Sequence, residues 1–408
     1  MFGKGSAWNR NTAILFAALV VVMLGFGMVI PILPFYVEAL GANGSQLGLL
    51  MATFALMQFI CAPFWGDLSD QIGRKPVLLI GVLGNAVSML LFGLSTQYWM
   101  LVASRALAGI LSSATLPTAM AYITDSTSER NRGGGMGLWG AAMGLGMVMG
   151  PGLGGLLAKV SLPAPFFVAA GLSVFVLVFI YFVLPESLPA ERRRRTASRF
   201  RGPALGPMLR ALTGPLAYLM VMSFLLDFGL TNFEGVFGLY ALRRYGFSAD
   251  QVGLVLTAVG LISALVQITL TGPLTRRFGE SRVIQVCLAV SALGFLLMLA
   301  ATTFAGVLLT TGLFVLGNTM LKPTLAALLS KRTKAGQGVT MGLSNSFMSL
   351  GRIAGPLWAG AALDMSLMLP YESGAFVLGV GFLSSLIWLN RAPAQQPAEA
   401  ADMQQVEA

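Results

Sequence analysis

Residues 136–155 read MGLWGAAMGLGMVMGPGLGG, and residues 341–360 read MGLSNSFMSLGRIAGPLWAG. Nine of the twenty positions carry the same residue, including the Gly-Pro pair in the middle of each segment. A single match is easily produced by chance in a chain rich in glycine and leucine. Here three further pairs of segments recur at the same spacing of 205 or 206 residues, which indicates an internal duplication: QLGLL at 46–50 with QVGLV at 251–255, GDLSDQIGRK at 66–75 with GPLTRRFGES at 272–281, and LPT at 116–118 with KPT at 322–324.

The composition places this duplicated chain in a membrane. Of its 408 residues, 56% are hydrophobic and 10% are charged, and the mean hydropathy is +0.78. A soluble protein cannot hide that much apolar surface, whereas a helix that crosses lipid needs about 20 mostly apolar residues. The first apolar segment exceeds a secretory h-region and lacks an A-x-A cleavage site, so we interpret it as a span. The sequence contains twelve candidate spans, at about 11–38, 46–65, 77–95, 98–122, 135–158, 164–184, 214–240, 249–270, 282–301, 304–329, 338–364 and 374–390.

The longest loop between these spans divides the chain into its two repeats. Its sequence, PAERRRRTASRFRGP at 189–203, follows the sixth span. Repeated halves in membrane proteins usually build a transporter, with the substrate between them near the bilayer midplane. The predicted fold class is therefore all-α, with twelve transmembrane helices in two pseudo-symmetric six-helix bundles. The predicted domains are an N-terminal bundle over 1–185, a basic cytoplasmic linker over 186–213, a C-terminal bundle over 214–392 and a disordered cytoplasmic tail over 393–408.

The placement of the charges predicts the orientation and excludes nucleic acid as a partner. The net charge is +10, and 20 of the 26 Lys and Arg residues lie near the termini or in the even-numbered loops. The odd-numbered loops hold only Lys159, Arg243 and Arg244. By the positive-inside rule, both termini are expected in the cytoplasm. The arginine run at 192–195 is interpreted as a topology signal or, alternatively, as a contact for anionic lipid.

Histidine is absent and cysteine is rare, which limits the available chemistry. Cys61 and Cys287 lie in different spans, and no C-x-x-C or Cys/His pattern predicts a metal site. Without histidine, the commonest proton carrier near neutral pH is missing, so proton transfer must use Asp or Glu. No G-x-x-x-x-G-K-[ST] loop for ATP is present either. We expect no metal, no cofactor and no enzymatic activity.

The loop between the second and third spans carries a specific motif, GDLSDQIGRKP at 66–76. Two glycines bracket a tight turn, and acids and bases lie together at its base. Such a cluster can pair with a neighbouring helix end and hold the cytoplasmic face shut; an ordinary solvated turn is the alternative. Asp125, just after the fourth span, is a predicted partner, with Arg130 and Arg132 close by. The predicted gating motif comprises Gly66, Asp67, Asp70, Gly73, Arg74, Lys75 and Asp125.

This loop resembles the signature of the major facilitator superfamily, G-x-L-S-D-x-x-G-R-K. The stretch GLGMVMGPGLGG at 144–155 resembles the G-P-x-x-G-G motif of the drug:proton antiporters in that superfamily. LGFGMVIPILPFYVEALG at 24–41 and DFGLTNFEGVFGLY at 227–240 are most similar to NorA-like bacterial multidrug pumps. The resemblance covers nearly the whole chain. It implies the major facilitator fold and the export of amphipathic drugs in exchange for protons.

The fifth span has physical properties that agree with this motif. Gly146, Gly150 and Gly154 recur every four residues and form a flat ridge that another helix can approach closely in lipid. Pro151 removes a backbone hydrogen bond and softens the helix. We interpret this span, with Gly155, as a bendable and tightly packed seal between the halves. Simple packing is the alternative.

Two acids interrupt the apolar seventh span, LLDFGLTNFEGVFGLY at 225–240. Asp227 and Glu234 are seven residues apart, so they share one side of the helix at a separation of roughly 10 Å. Charges inside a span are costly and usually face the protein interior or a cavity. Glu234 matches the family's span-seven glutamate, and we hypothesise that it binds either a proton or a cationic drug. A buried ion pair with Arg352 or Lys322 is the alternative, and for Asp227 a structural role has equal standing.

One further base and one missing acid complete the predicted site. Arg105 in the fourth span matches the family's arginine that serves proton transfer; bonding of backbone carbonyls is the structural alternative. The family has a second acid in the tenth span, within G-x-D-M-x-R-P, but the matching stretch is GNTMLKP with Thr319 at that position. Asp227 is one possible substitute. Alternatively, the cargo is neutral or anionic and contacts Lys322 and Arg352.

The predicted function is a proton-coupled antiporter that exports lipophilic, cationic drugs across the cytoplasmic membrane. A forgiving pocket is expected, because methionine and aromatic side chains adapt to different cargo. The alternatives are a proton-linked exporter of a sugar, metabolite or glycolipid and, in a different class, a membrane sensor or scaffold. The expected partners are small-molecule drugs, protons and the lipid bilayer, and a monomer is expected. Besides Glu234, Lys322 and Arg352, the candidate pocket residues are Phe54, Gln58, Met147, Phe233 and Phe237.

Overall fold

The computed structural model describes residues 10–128, 131–193, 205–333 and 336–389. Within these ranges there is no β-strand, so the prediction of an all-α fold is confirmed. Short helices at Leu33–Ala39 and Leu205–Ala211 precede the second and seventh long helices. The twelve long helices are α1 Arg10–Val29, α2 Gly44–Ile72, α3 Arg74–Gly93, α4 Tyr98–Ser126, α5 Arg132–Ala158, α6 Ala164–Val183, α7 Ala217–Tyr245, α8 Ala249–Phe278, α9 Glu280–Ala300, α10 Phe304–Arg332, α11 Gln337–Met365 and α12 Leu369–Trp388.

Eleven of these helices are long and apolar enough to cross a membrane by their own sequence, and α11 is the exception. At 29 residues α11 exceeds the length of a span. Its apolar character is reduced by Asn345, Arg352 and Asp364. The helix α11 lies against both α2 and α7 and buries Phe347 and Gly351. Of its polar side chains, Asn345 and Asp364 are exposed and Arg352 is 41% exposed. Packing of its buried side therefore holds α11 between the bundles.

The helices α2 and α8 begin and end in the same way because the sequence repeats there. Asn43 precedes α2 and Ser248 precedes α8, and each forms a capping box with the glutamine three residues later. After α2 comes Gly73 with φ +109°, and after α8 comes Gly279 with φ +80°. These backbone angles favour glycine, which has no Cβ. The repeat therefore determines local structure at both ends of the two helices.

Each repeat folds into a six-helix bundle. In the N-terminal bundle α1 packs on α5 and α6, and in the C-terminal bundle α7 packs on α11 and α12. The bundles meet mainly where α2 lies along α11 and where α5 lies along α8. The helices α3, α6, α9 and α12 lie at the outside and expose large apolar side chains such as Leu83, Phe175, Leu293 and Phe376. These surfaces are suited to lipid rather than water.

The two lines of contact between the bundles form two seams of small residues. In the seam of α2 and α11, a methyl group on Gly44 would lie 2.7 Å from the Gly360 carbonyl oxygen, and one on Gly48 would overlap the Pro356 carbonyl. In the seam of α5 and α8, a methyl group on Gly253 would lie 2.6 Å from the Pro151 carbonyl oxygen. Such close approach of backbones is the usual way that helices associate in membranes.

The seams close only one end of the molecule. We call the end that carries Arg74, Arg276 and Lys331 the basic face and the other end the opposite face. The contacts described above lie toward the opposite face. Toward the basic face, no atom lies within 4 Å of the place that a methyl group would take on Gly140 of α5 or Gly342 of α11. A crevice therefore runs between the bundles and opens at the basic face.

Among the described residues, three polar contacts join the bundles at the opposite face. Asp364, near the end of α11, accepts hydrogen bonds from the Gly44 and Ser45 amides at 2.8 and 2.7 Å and from the Ser45 hydroxyl at 2.6 Å. Lys159 Nζ lies 3.0 Å from Asp250 Oδ2. At the third contact, Arg243 Nε lies 3.4 Å from Glu38 Oε1.

Two helices that border the crevice are interrupted at the same place in the repeat. Pro63 lies inside α2, where it cannot donate a backbone hydrogen bond. In α8, residues Gln267–Thr271 form a π-helical turn. The equivalent of position 63, 205 or 206 residues later, falls within this turn. Prolines and π turns are both common causes of helix bending.

The predicted linker is partly described. Its first residues, through Arg193, lie against the N-terminal bundle, and the short helix Leu205–Ala211 buries Met208 against the C-terminal half. The tail predicted over 393–408 and half of the predicted arginine run, residues 194–195, lie outside the described residues, as does Arg130 of the predicted gating region.

Candidate functional site

The charged residues predicted inside the spans gather on the helices that border the crevice. Asp227 and Glu234 are on α7, Lys322 is on α10, Arg352 is on α11 and Arg105 is on α4. The repeat has no matching charges, because the positions equivalent to Lys322 and Arg352 in the N-terminal half are Leu116 and Met147. The pair of bases Lys322 and Arg352 therefore occurs in one repeat only, at positions that are apolar in the other repeat.

Asp227 is the centre of a charge cluster in the C-terminal bundle. Its side chain is 1% exposed, Lys322 Nζ contacts its Oδ1, and Arg352 Nε lies 3.3 Å from its Oδ2. The alignment of these contacts does not make hydrogen bonds, so they are ion pairs held by charge. A carboxylate this buried needs such partners. The structure therefore pairs Asp227 with both bases that were considered for the acids of this span.

Close helix packing brings Arg352 to Asp227. The preceding residue, Gly351, lies so near α7 that a methyl group there would be 2.8 Å from the Phe228 amide nitrogen. The Thr231 hydroxyl donates to the Asp227 carbonyl at 2.6 Å and to the Gly351 carbonyl at 3.3 Å. The glycine and the threonine thus set the separation of α7 and α11 at the level of the ion pairs.

Glu234 has a different environment from Asp227. Its side chain is half-buried, and within the described residues it has no hydrogen bond or ion pair. Four residues beyond Glu234, a methyl group on Gly238 would lie 2.8 Å from Pro34 of the N-terminal bundle. Since both residues lie on one side of α7, Glu234 faces the other bundle just below the closed region. The crevice therefore reaches a carboxyl group that has no hydrogen bond or ion pair in the described residues, although the charges of Lys322 and Arg352 act on it.

Arg105 lies in the N-terminal bundle and is 6% exposed. Its guanidinium carbon is 5.7 Å from the centre of the Phe54 ring and 5.2 Å from that of Phe92. No ion pair to Arg105 is present in the described part of the chain, and its buried Nε has no hydrogen-bond partner there. The charge is stabilised by aromatic faces rather than by a carboxylate.

The predicted pocket residues divide into two groups. Phe54, Gln58 and Met147 are partly exposed on helices of the N-terminal bundle. The prediction for Phe233 and Phe237 is wrong in this structure. These side chains are 1% and 2% exposed and pack together at a ring separation of 5.0 Å in the core of the C-terminal bundle, where Phe233 also meets Phe314.

The predicted gating motif forms a network at the basic face. Arg74 Nη1 lies 2.5 Å from Asp70 Oδ1, and its Nε donates to Asp125 Oδ2 at 2.9 Å. The other motif residues lie at the junction of two helices. Gly66, Asp67 and Asp70 are near the end of α2, and Lys75 is at the start of α3. Within the described residues, the hydrogen-bond partners of Arg74 belong to the N-terminal half. In this open conformation Arg74 therefore joins helices of one bundle.

Glu186 is a member of this network that the sequence reasoning missed. Its carboxylate accepts hydrogen bonds from the Arg74 amide at 2.9 Å and the Lys75 amide at 3.1 Å. Acids are favoured at such a helix start because the free amides and the helix dipole are positive there. The sequence does contain a signal for this residue, because Glu186 in PES at 185–187 is an acid directly after the sixth span. We interpreted that segment only as linker.

The antiporter motif on α5 contacts a different helix on each of its two sides, α1 on one and α8 on the other. The ridge of Gly146, Gly150 and Gly154 faces α1 of the same bundle, and a methyl group on Gly150 would lie 2.6 Å from Gly27 Cα. The interpretation of this ridge as the seal between the halves is therefore wrong. The contact between the halves is made by the neighbouring Pro151 and Gly155, which pack on α8.

Thr319, at the position of the missing acid, has a structural contact. Its hydroxyl donates to the Ser263 hydroxyl of α8 at 3.0 Å. The described residues contain no group of three or more His, Cys, Asp or Glu side chains that could hold a metal ion. The chemistry of the crevice therefore rests on separate acids and bases inside an apolar surround.

Two repeated helical bundles, closed at one end and open at the other onto a charged crevice, define a membrane transporter with alternating access. The comparisons with known proteins identify its family. The family model described as Major Facilitator Superfamily matches residues 15–230 and 219–406, and the chain belongs to this superfamily. The membership confirms the predicted fold and family.

Relatives that are named for drug resistance are similar over nearly the whole chain. Multidrug resistance protein 2 of Bacillus subtilis (strain 168) is 32% identical, with 92% of this chain and 94% of the relative covered. The quinolone resistance protein NorA of Staphylococcus aureus (strain COL) is 30% identical, with 93% and 96% covered. Among solved structures, the human organic anion transporter MFSD10 (TETRAN) is 25% identical with a TM-score of 0.66, covering 92% of this chain and 99% of that one.

Proposed function

We propose that the protein is a proton-coupled antiporter that exports lipophilic, cationic drugs. The names of the bacterial relatives, multidrug resistance and quinolone resistance proteins, support drug efflux. The observation that carries the coupling is Glu234, a half-buried carboxyl group that faces the crevice and has no hydrogen bond or ion pair among the described residues.

The chemistry of Glu234 follows from its surroundings. A carboxylate in an apolar crevice is destabilised unless its charge is neutralised by a proton or a nearby cation. A cation at about 4 Å gains on the order of 4 kcal/mol at an effective dielectric constant near 20. The bound proton removes this attraction, so proton and cationic drug compete for Glu234. Exchange of one for the other couples their movement in opposite directions.

The orientation proposed for the molecule puts its basic face in the cytoplasm of a bacterial cell, with both termini on that side. The crevice of this structure then opens to the cytoplasm, which is the conformation that collects cargo before export. We propose a monomer in the inner membrane that works without a cofactor and performs no enzymatic reaction.

Proton release from inverted membrane vesicles tests this function. Addition of a cationic dye such as ethidium to energised vesicles is expected to release protons with the wild type and not with Glu234→Gln, which cannot ionise. Glu372→Gln is the matched control, because Glu372 is an exposed acid in the first turn of α12. Normal coupling in Glu234→Gln would show that the role assigned to Glu234 is wrong.

A second candidate is a proton-linked exporter of a sugar, metabolite or glycolipid. The bases Lys322 and Arg352 favour it, since each is 41% exposed at the crevice, and the human structural relative is named an organic anion transporter. Whole-cell dye efflux separates the two candidates. Efflux that stops with a protonophore supports the drug pump, whereas sugar or lipid flux without dye efflux supports the second candidate. A sensor or scaffold has no use for a crevice closed at one end.

A further inference from the structure

A groove runs along the outside of the N-terminal bundle, between α3 and α6 and away from the crevice. It has a volume of about 300 Å³ and is lined by apolar and aromatic side chains of the two helices: Leu79, Ile80, Leu83, Leu177, Val178, Tyr181 and Phe182. Of these, Leu83, Val178 and Phe182 are exposed at the surface of the bundle. In a membrane, this surface meets acyl chains.

The two helices are joined at both ends of the groove. Toward the basic face, the Lys75 ammonium donates to the Tyr181 carbonyl at 2.7 Å, and below Leu83 the Asn85 amide donates to the Ser173 hydroxyl at 2.9 Å. The eight residues from Lys75 to Leu83 rise about 12 Å along α3, close to half of a hydrocarbon core of about 30 Å. The groove therefore has the length of one leaflet and suits one acyl chain.

Lys75 places a positive charge at the end of the groove toward the basic face. Its Nζ lies 5.7 Å from the centre of the Tyr181 ring. An ammonium has three N–H donors, and among the described residues Lys75 Nζ bonds only to the Tyr181 carbonyl. The Tyr181 hydroxyl has no hydrogen bond there and is exposed. Donors without a protein acceptor therefore lie at the level of the lipid headgroups.

The carboxylates near Lys75 have other partners. Asp70 and Asp125 pair with Arg74. Glu186 accepts hydrogen bonds from four backbone amides at 2.9 to 3.1 Å, and its charge offsets the positive start of α3. None of these three acids forms an ion pair with Lys75. The ammonium is therefore open to an anion from outside the protein.

The second repeat packs the equivalent helices without this lysine. At an offset of 206 residues, Ser281 corresponds to Lys75 and Gln285 to Leu79. Gln285 is buried and donates to the Ser385 carbonyl at 3.1 Å, so a polar contact joins α9 and α12 at this height. Since this pair of helices packs without a lysine at that position, Lys75 requires another explanation.

We propose that the groove binds an anionic phospholipid of the leaflet at the basic face, with one acyl chain between α3 and α6 and the phosphate at Lys75 and the Tyr181 hydroxyl. Burial of the chain stabilises the complex, and a lysine at the membrane surface attracts an anionic headgroup. A zwitterionic phospholipid has the same phosphate but brings an ammonium that Lys75 repels. The site lies outside the crevice and does not depend on the cargo or on the proposed transport.

Native mass spectrometry of the purified full-length protein tests this site. The probe is an equimolar mixture of phosphatidylglycerol, which is anionic, and phosphatidylethanolamine, which is zwitterionic, with identical acyl chains. The wild type is expected to retain one lipid and to prefer phosphatidylglycerol about fivefold. Lys75→Gln removes the charge and keeps the groove, so the preference should disappear. Arg282→Gln is the matched control, because Arg282 is an exposed base one residue after the equivalent position in the second repeat.

Val178→Trp tests the groove itself. The indole fills the groove and leaves Lys75 in place, so the retained amount of both lipids should fall at least about fivefold. The control is Val168→Trp, because Val168 is an exposed valine of the same helix outside the groove. The preference is a ratio of two lipids in one sample, so a general loss of stability does not change it.

Three results would each overturn the site: equal retention of the two lipids by the wild type, an unchanged preference in Lys75→Gln, or an unchanged amount of lipid in Val178→Trp. If Arg282→Gln lowers the preference as much as Lys75→Gln, the bases attract lipid only as part of a charged surface, and the site is also rejected.

Discussion

The two seams between the bundles have the same backbone packing and different chemistry at their ends. Pro356 in one seam and Pro151 in the other hold equivalent positions, and each carbonyl meets a glycine of the opposite bundle, Gly48 or Gly253. At the end of the first seam, Asp364 binds amides at the start of α2, whereas at the end of the second, Lys159 pairs with Asp250. Positions 159 and 364 are themselves equivalent in the repeat.

The difference shows which parts of a duplicated interface stay fixed. Close backbone packing requires small residues at particular heights, and both seams keep them. The polar ends of the seams face water, where several pairings of polar groups have similar free energies. At these ends the equivalent positions carry opposite charges, Lys159 in one seam and Asp364 in the other. One end uses three hydrogen bonds to a helix start, and the other uses an ion pair whose lysine is 60% exposed. Substitutions in each seam test this distinction.

The largest effect is expected from filling the seams. Gly48→Val and Gly253→Val both put side-chain atoms against a backbone carbonyl, so the opposite face cannot close. We expect dye efflux to fall at least about tenfold in both variants, with a longer distance between spin labels at Ser161 and Ser366 after Cys61 and Cys287 are replaced. Gly171→Val is the control, since nothing lies within 4 Å of a methyl group there. Loss of activity in only one of the two would show that the seams are not equivalent.

A smaller effect is expected from Asp364→Ala. This substitution removes the acceptor of three hydrogen bonds at the start of α2, a loss of about 1 kcal/mol. The ratio of open to closed opposite face should rise about fivefold in the same spin-label measurement. Asp364→Asn retains an oxygen acceptor and should have a weaker effect. If alanine and wild type give the same distance distribution, Asp364 does not stabilise the closed face.

The smallest effect is expected from Lys159→Gln. An exposed ion pair contributes about 0.2–1 kcal/mol, so the population of the closed face should change by roughly twofold. The difference from wild type should disappear in about 1 M salt, where charges are screened within a few ångström. An effect larger than that of Asp364→Ala would reverse the order that we assign to the two seams.

Much of the fold could be predicted from sequence because the decisive signals are long and repeated. Apolar spans of about 20 residues define helices by length alone, and a constant offset defines two bundles. The helix with the weakest hydropathy signal is α11, which is long enough for a span but not apolar enough to be identified by hydropathy. The repeat predicts it nevertheless, since 341–360 matches a segment of α5.

The site was less predictable because a sequence shows which residues share a side of a helix but not what that side meets. Phe233 precedes Glu234 and therefore points about 100° away from it, into the core of its own bundle. The three-glycine ridge of α5 was visible, but its partner, α1, was not. Likewise, Asp227 had two candidate bases, and only the packing of α7, α10 and α11 shows that it contacts both.

Pro63 in α2 and the π turn at Gln267–Thr271 in α8 have a shared consequence. Each lies between the part of its helix that is held in a seam and the end of the helix at the basic face; in α2, Phe54 and Gln58 precede Pro63. The lower segments of α2 and α8 can therefore pivot as two matched flaps while the seams above them stay intact. Narrowing of the entrance then requires only bending at Pro63 and at the π turn. The full rotation of one bundle against the other is a separate movement.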